Sequence, residues 1–422
     1  MRQDSLSQKI DWATVLVFSI LVLFGWLNIY AAEYDPELNQ GIFDFSTSSG
    51  KQFVWICTSI VIAFVVFFFD FRFFDSFAYI IYGVLIALLL FVLIGGKEVA
   101  GSKSWIGIGG FGLQPSEFAK FATGLALARF LDRATRKLEN IKTLVVALLI
   151  FIVPMGLTIL QGDTGTAMVF GALVIPLFRE GMPPTLLIIG ISGIVIFLLT
   201  LLVNQTVLLV AIAIIALLAI GINARNPKKI LYILVVGIVV TLIVRSVDFV
   251  LTDVLKPHQQ KRVLSLVNPN NDPLGIGWNV TQSKIAIGSG GFTGKGFLEG
   301  TQTNLGYVPA QSTDFIFCTI GEEQGWIGSL LLLGLFATLF LRLIHLAERQ
   351  KSSFARIYGY AVIAIIFFHF AVNIAMTIGL FPVIGIPLPF FSYGGSSLWS
   401  FTILLFSFLK LDAHRMQVLQ RW

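Results

Sequence analysis

Along this chain the hydrophobic positions neither alternate nor recur every three or four residues. They come in long unbroken runs, with the polar residues gathered between them. Runs close to the length that crosses a bilayer lie at about 12–31, 52–69, 77–95, 115–131, 143–160, 164–178, 184–203, 206–222, 229–250, 326–342, 357–380 and 395–410. Lipid offers no partner to an unpaired backbone group, so each run is expected to be a helix. Barrel strands would alternate instead. The pattern therefore predicts an all-α, polytopic integral membrane helical bundle of about twelve transmembrane helices, the sixth of them short, forming one domain over 1–422. A single polar stretch breaks the rhythm, at 252–325, and is expected to be one long extracytoplasmic loop.

Composition agrees. The 422 residues are 56% hydrophobic and 12% charged, with mean hydropathy +0.86, against about 25% charged in a soluble domain. A net charge of +6 could suggest nucleic acid, but its distribution argues for no nucleic-acid partner. With the N-terminus placed inside, 19 of the 29 lysines and arginines fall in inner segments, as the positive-inside rule requires. The first outer loop instead carries Glu33, Asp35, Glu37 and Asp44. Both termini are thus expected in the cytoplasm. Residues 1–11 lead into a run of full span length rather than a cleavable signal peptide.

Two outer segments hold candidate chemistry. In 96–115, the glycine-rich run Gly107-Ile108-Gly109-Gly110-Phe111-Gly112 is flanked by spans, not by a βαβ unit. It therefore reads as a tight turn or hairpin at the membrane surface rather than a dinucleotide loop. Lys103 and Trp105 lie within it. Gln114 and Pro115 then open the fourth span, where Glu117 and Lys120 stand three apart on one helical face. Ionisable groups inside a span are costly, which leaves two readings: a pair lining a polar cavity, or a self-neutralising pair that fixes packing. Asp163, in the short turn before the sixth run, reads equally as a helix cap or a ligand contact.

The long loop carries five basic residues on the outer side, Lys256, Lys261, Arg262, Lys284 and Lys295, against the orientation bias. An anionic ligand such as a phosphate at the membrane surface would employ them. Gln282 and Ser289 add polar groups among glycines. Asp314 stands between polar loop and the apolar Phe315-Ile316-Phe317, where partial desolvation would suit a carboxylate to proton abstraction. A helix cap is the other reading of Asp314. Glu322 and Glu323 are rival carboxylates.

The stretch from Gly379 to Ser397, GLFPVIGIPLPFFSYGGSS, with Asn373 before it, resembles the signature of the SEDS family (shape, elongation, division and sporulation). Gln282–Gly291 and Thr313–Phe317 match as well. Gly294-Lys295-Gly296 followed by Gly300-Thr301-Gln302 is similar to the RodA rather than the FtsW branch. The resemblance implies a peptidoglycan glycosyltransferase that polymerises lipid II on the outer face of the bacterial inner membrane, releasing undecaprenyl pyrophosphate, for elongation and rod shape. It implies Asp314 as the essential acid and puts Trp105, Glu117, Lys120 and Asp163 on positions the family uses. Ser392 and Ser396 are expected to join the site beneath the loop. Lys103, Arg262, Lys284 or Lys295 could neutralise pyrophosphate, a task that a divalent cation, magnesium or manganese, could share, although no ligand cluster identifies a metal. Implied partners are a class B penicillin-binding protein and other membrane proteins of an elongation complex.

Some features depart from that pattern. The family has ten spans, with one crossing where 184–250 makes three, so a two-helix insertion is expected there. Where the family has Pro-Glu before the Thr-Asp element, Pro309 is followed here by Ala310 and Gln311, and Gln161-Gly162-Asp163 replaces Gln-Pro-Asp. The alternative function is a lipid-linked precursor flippase or secondary transporter. Against it, the informative residues cluster on one side rather than at the midplane between two repeats.

Overall fold

The computed structural model of the protein describes residues 10–35, 41–99, 101–108, 111–132, 137–249, 253, 260 and 276–417. Each apolar run is helical, with ends within a few residues of expectation. The first helices are α1 (Trp12–Ala32), α2 (Ser48–Phe68), the short α3 (Phe71–Ser76) and α4 (Ala78–Gly95). A small antiparallel meander follows, β1 (Lys97–Val99), β2 (Ser102–Ile108) and β3 (Phe111–Leu113), in that order in the sheet. This is the expected hairpin, with Gly107 opposite Gly112. Next come α5 (Pro115–Leu131) and α6 (Ile141–Leu160).

The short sixth run is broken into α7 (Thr164–Gly171) and α8 (Val174–Arg179). Pro176 has no N–H for the Ala172 carbonyl. The chain instead tightens, with Ile175 N–H donating to Ala172 O at 2.9 Å, three residues back. The remaining long helices are α9 (Pro184–Leu202), α10 (Gln205–Ile222) and α11 (Pro227–Phe249). The segment read as one long loop, 252–325, comes next in the chain. Its described part is substantially helical: α12 (Ile276–Ser289), α13 (Thr301–Asn304) and α14 (Ile316–Glu323). The chain ends with α15 (Gly325–Glu348), α16 (Ser353–Thr377) and α17 (Gly395–Ala413). Among the described residues nine helices are long and apolar enough to cross a membrane, so the chain is a multi-pass helical membrane protein. The sixth run and helices α5 and α17 fall outside those nine.

Two compact units emerge, one of Met1–Met182 with Asn279–Trp422 and one of Pro183–Trp278. In the first, α5 packs against α4, α6, α16 and α17, and all its residues but Phe118 and Arg129 are buried. Small side chains permit this close approach: a Cβ on Gly124 would lie 3.3 Å from Ala361 Cβ. Ion pairs tie the helix ends farthest from the meander, Arg129 to Asp75 at 2.7 Å and Arg356 to Glu180 at 3.0 Å. The second unit consists of α9–α11 and the chain to Trp278. Neither α9 nor α10 buries a single residue.

Candidate active site

Asp314 sits half-buried just ahead of α14. The cap position of that helix belongs to Phe315, with no side-chain cap bond, so the helix-cap reading of Asp314 falls away. Its backbone is held from outside. Asn373 on α16 donates through Nδ2 to Asp314 O at 2.9 Å and to Ile386 O at 2.8 Å. The segment 384–396 wraps the same turn: Ser392 Oγ donates to Thr313 O at 2.5 Å, and Tyr393 N–H to Ser312 O at 2.9 Å. Gly385, at φ +72°, passes close to the carboxylate, where a Cβ would stand 3.2 Å from Asp314 Oδ2. Only glycine takes that backbone conformation without cost.

The same segment reaches the other predicted residues. Ser396 Oγ donates to Gly112 O at 3.0 Å and stands 3.3 Å from the Gln114 N–H. Gln114 Nε2 donates to Asp163 Oδ2 at 2.7 Å, while Asp163 Oδ1 accepts from Thr166 N–H at 3.0 Å. Asp163 therefore caps α7 and also holds Gln114. A Cβ on Gly165 would collide with the Ile384 carbonyl, so α7 lies directly against this segment. Trp105 on β2 stacks over Gly112. Lys103 is joined to Gln161 O through its N–H at 2.8 Å and to Ile94 O through Nζ at 2.9 Å.

Glu117 and Lys120 are 2% and 1% exposed, with Lys120 Nζ 2.9 Å from Glu117 Oε2. The two side chains form a closed, buried ion pair. The sequence reading missed a third member: His369, fully buried on α16, with Nε2 2.8 Å from Lys120 Nζ. An ammonium has three protons to place and one carboxylate cannot take them all, which was the available signal.

The cations differ. Lys295 Nζ lies 2.6 Å from Glu322 Oε1, and Glu322 also accepts from the N–H groups of Gln302 and Thr303 and from Thr303 Oγ1. Burial pushes the Glu322 carboxyl up, but donors from Lys295, Gln302 and Thr303 more than reverse this and hold it below the usual range. Its neighbour Glu323 is buried without such donors, and burial raises it to about 7. Leu298 N–H draws it back only in part, since neither carboxylate oxygen reaches hydrogen-bond geometry. Lys284 is exposed on α12 beside Gly379. Gln282 is buried on that helix, and neighbouring Ser283 donates to Thr377 O at 2.9 Å. Ser289 Oγ donates within its own helix, to Ala286 O at 2.9 Å. Arg262 lies outside the described residues. Among the described residues no group of three or more His, Cys, Asp or Glu could hold a metal ion.

Comparison with known proteins fits this geometry. The family model described as a cell cycle protein, covering FtsW, RodA and SpoVE, matches residues 11–207 and 184–417. The two matches overlap over 184–207, which takes in α9 and the start of α10. The peptidoglycan glycosyltransferase RodA of Treponema pallidum is 32% identical over 96% of this chain and 98% of its own length. The peptidoglycan glycosyltransferase MrdB of Escherichia coli K12 is 33% identical over 78% of this chain and 75% of its own. Among solved structures, a chain of a peptidoglycan synthase complex that coordinates polymerization and crosslinking superposes with TM-score 0.71. It is 27% identical and covers 97% of this chain and 99% of that one. The rod shape determining protein RodA of Thermus thermophilus gives TM-score 0.62 at 25% identity, over 96% of this chain and 97% of its own. The chain belongs to the FtsW, RodA and SpoVE family of cell cycle proteins, in its RodA-like, peptidoglycan glycosyltransferase branch.

Proposed function

We propose that this peptidoglycan glycosyltransferase polymerises lipid II at the Asp314 site, on the outer face of the bacterial inner membrane, with both termini in the cytoplasm. The observation that carries the reading is the setting of Asp314. It is half-buried and caps no helix, its backbone is gripped by Asn373, and its carboxylate is flanked by a glycine.

The acceptor sugar's 4-hydroxyl gives its proton to the Asp314 carboxylate as the oxygen attacks the donor's anomeric carbon. The bond from that carbon to the pyrophosphate oxygen breaks, and its electron pair leaves with undecaprenyl pyrophosphate. One displacement inverts the anomeric centre and needs one base, by analogy with inverting glycoside chemistry. Charge developing on the leaving group calls for a cation nearby. Exposed Lys284 suits that task better than Lys295, whose ammonium is already engaged by Glu322. Trp105, Gln114 and Asp163 would shape the acceptor side. The likeness to a complex of polymerization and crosslinking supports a class B penicillin-binding protein as partner.

The test is polymerisation of lipid II, supplied on one face of proteoliposomes, by the purified full chain. Asp314→Asn should cut glycan synthesis by about 10²–10⁴, the usual worth of a general base, in protein that remains monodisperse. Retained synthesis would remove Asp314 from the role.

A further inference from the structure

We infer that His369 is a positioning residue for this reaction, carrying the placement of the buried Glu117–Lys120 pair to Asp314 through the carbonyl of Pro387. The inference rests on the polymerase reading with Asp314 at its centre.

The argument begins with the imidazole's two nitrogens. Nδ1 lies 3.2 Å from Pro387 O, an atom that can only accept, so Nδ1 carries the proton. Nε2 is then a lone pair, and it faces Lys120 Nζ at 2.8 Å, which donates to it. One neutral tautomer satisfies both contacts. Glu117, bonded to the same ammonium, completes a buried group with no net charge, which is the condition for burying ions. Phe401 closes it: Lys120 Nζ stands 4.9 Å from the centre of that ring, and the His369 ring meets it edge-on at 4.9 Å.

The second half of the path is one helical turn away. Asn373 follows His369 by four residues, on the same face of α16. His369 takes the Pro387 carbonyl, while Asn373 takes that of Ile386 and, with the same amide, that of Asp314. Two adjacent peptide groups are therefore fixed to one helix, and Asp314 is fixed to the same amide. If His369 lets go of Pro387, or is itself no longer held by Lys120, Pro387 gains freedom next to the carbonyl that shares Asn373 with Asp314. The base would then be misplaced by a fraction of an ångström, which costs rate without weakening substrate binding.

The experiment compares kcat and KM for lipid II in the full chain in proteoliposomes, for wild type and His369→Gln, →Asn and →Phe. Glutamine offers an acceptor and a donor at nearly the imidazole's reach. Asparagine can reach Pro387 O but is a bond too short for Lys120, and phenylalanine offers neither group. Expected are a tenfold or greater loss of kcat for Phe and Asn, KM within twofold of wild type, and kcat within threefold for Gln. Should the Phe variant not fold, the Asn variant answers the same question. Near-normal kcat in Asn or Phe, a loss that appears in KM, or a Gln variant as slow as Phe would overturn the role. A wild-type chain that makes no glycan, or an active Asp314→Asn variant, would sink the polymerase reading instead. Failure of the His369 inference leaves both of those results standing.

Discussion

Helices α5 and α9 are close in length, 17 and 19 residues, and differ in nearly everything else. Helix α5 buries all but two residues and carries Glu117 and Lys120, and it is not among the nine most membrane-like helices. Helix α9, with hydropathy 2.7, is one of the most apolar in the chain and buries nothing. Hydropathy reports which side chains meet lipid. A span wrapped by other helices finds its partners in protein, so it can hold charges that a lipid-facing span cannot. In this protein the buried Glu117–Lys120 pair sits in a span whose hydropathy signal is weak.

The comparison breaks most sharply at Lys120. Replacing it by Met leaves the Glu117 carboxylate buried and unpaired, which costs about 3–5 kcal/mol. Thermal unfolding in detergent should show the loss directly. Adding Glu117→Gln to Lys120→Met should recover most of the stability, because nothing charged is then stranded. Glycan synthesis should stay low in both, since His369 has lost its donor. Recovery of synthesis along with stability would mean that α5 contributes packing alone. Equivalent apolar changes on exposed faces of α9 should be nearly silent.

Glu323 gives a smaller effect with a pH signature. Its folded pKa, about 7, stands above the model-compound value of 4.5. Between those values the folded state holds a proton that the unfolded state has lost, so stability falls as pH rises from about 4.5 through about 7. Two and a half units correspond to about 3 kcal/mol at most. Wild-type melting temperature should therefore decline across that window, and Glu323→Gln should flatten the decline. An unchanged slope in the variant would assign the pH dependence elsewhere. Glu322 has the opposite sign: its contribution is present above the ordinary glutamate range and lost on acidification through its lowered pKa.

Much of this architecture was legible from the runs alone, because bilayer thickness sets helix length and lipid forbids loose backbone. The hairpin at 102–113 and the kinship of 379–397 were legible too. Other features depended on contacts between distant segments. Nothing local in Ser392 says that it will hold Thr313, 79 residues away, or that Glu322 rather than pyrophosphate will claim Lys295. His369 sits in an apolar run and declares itself only when Lys120 is seen to need a second acceptor. The helices of the long loop were hidden by its glycines, which serve close approach. A Cβ on Gly290 would strike the Gly321 carbonyl at 2.0 Å-scale contact, so the two segments can touch only through bare backbone.

The smallest predicted effect sets Gln205 beside His369. Each is a polar side chain on a helix donating to a carbonyl of another element. Gln205 on α10 gives its Nε2 proton to Val244 O on α11 at 2.9 Å. The Val244 carbonyl lies inside a helix, already placed by its own hydrogen-bond ladder, so the added bond joins two rigid rods and moves neither. Polar contacts between helices in lipid average about 0.6 kcal/mol. Gln205→Leu should therefore lower stability by about that amount and leave kcat and KM for lipid II unchanged. The Pro387 carbonyl belongs instead to an irregular segment with no ladder, so its direction depends on the side chains that hold it. If Gln205→Leu slowed glycan synthesis as His369→Asn is expected to do, the contrast between the two carbonyls would fail, and α10 and α11 would have a share in the reaction.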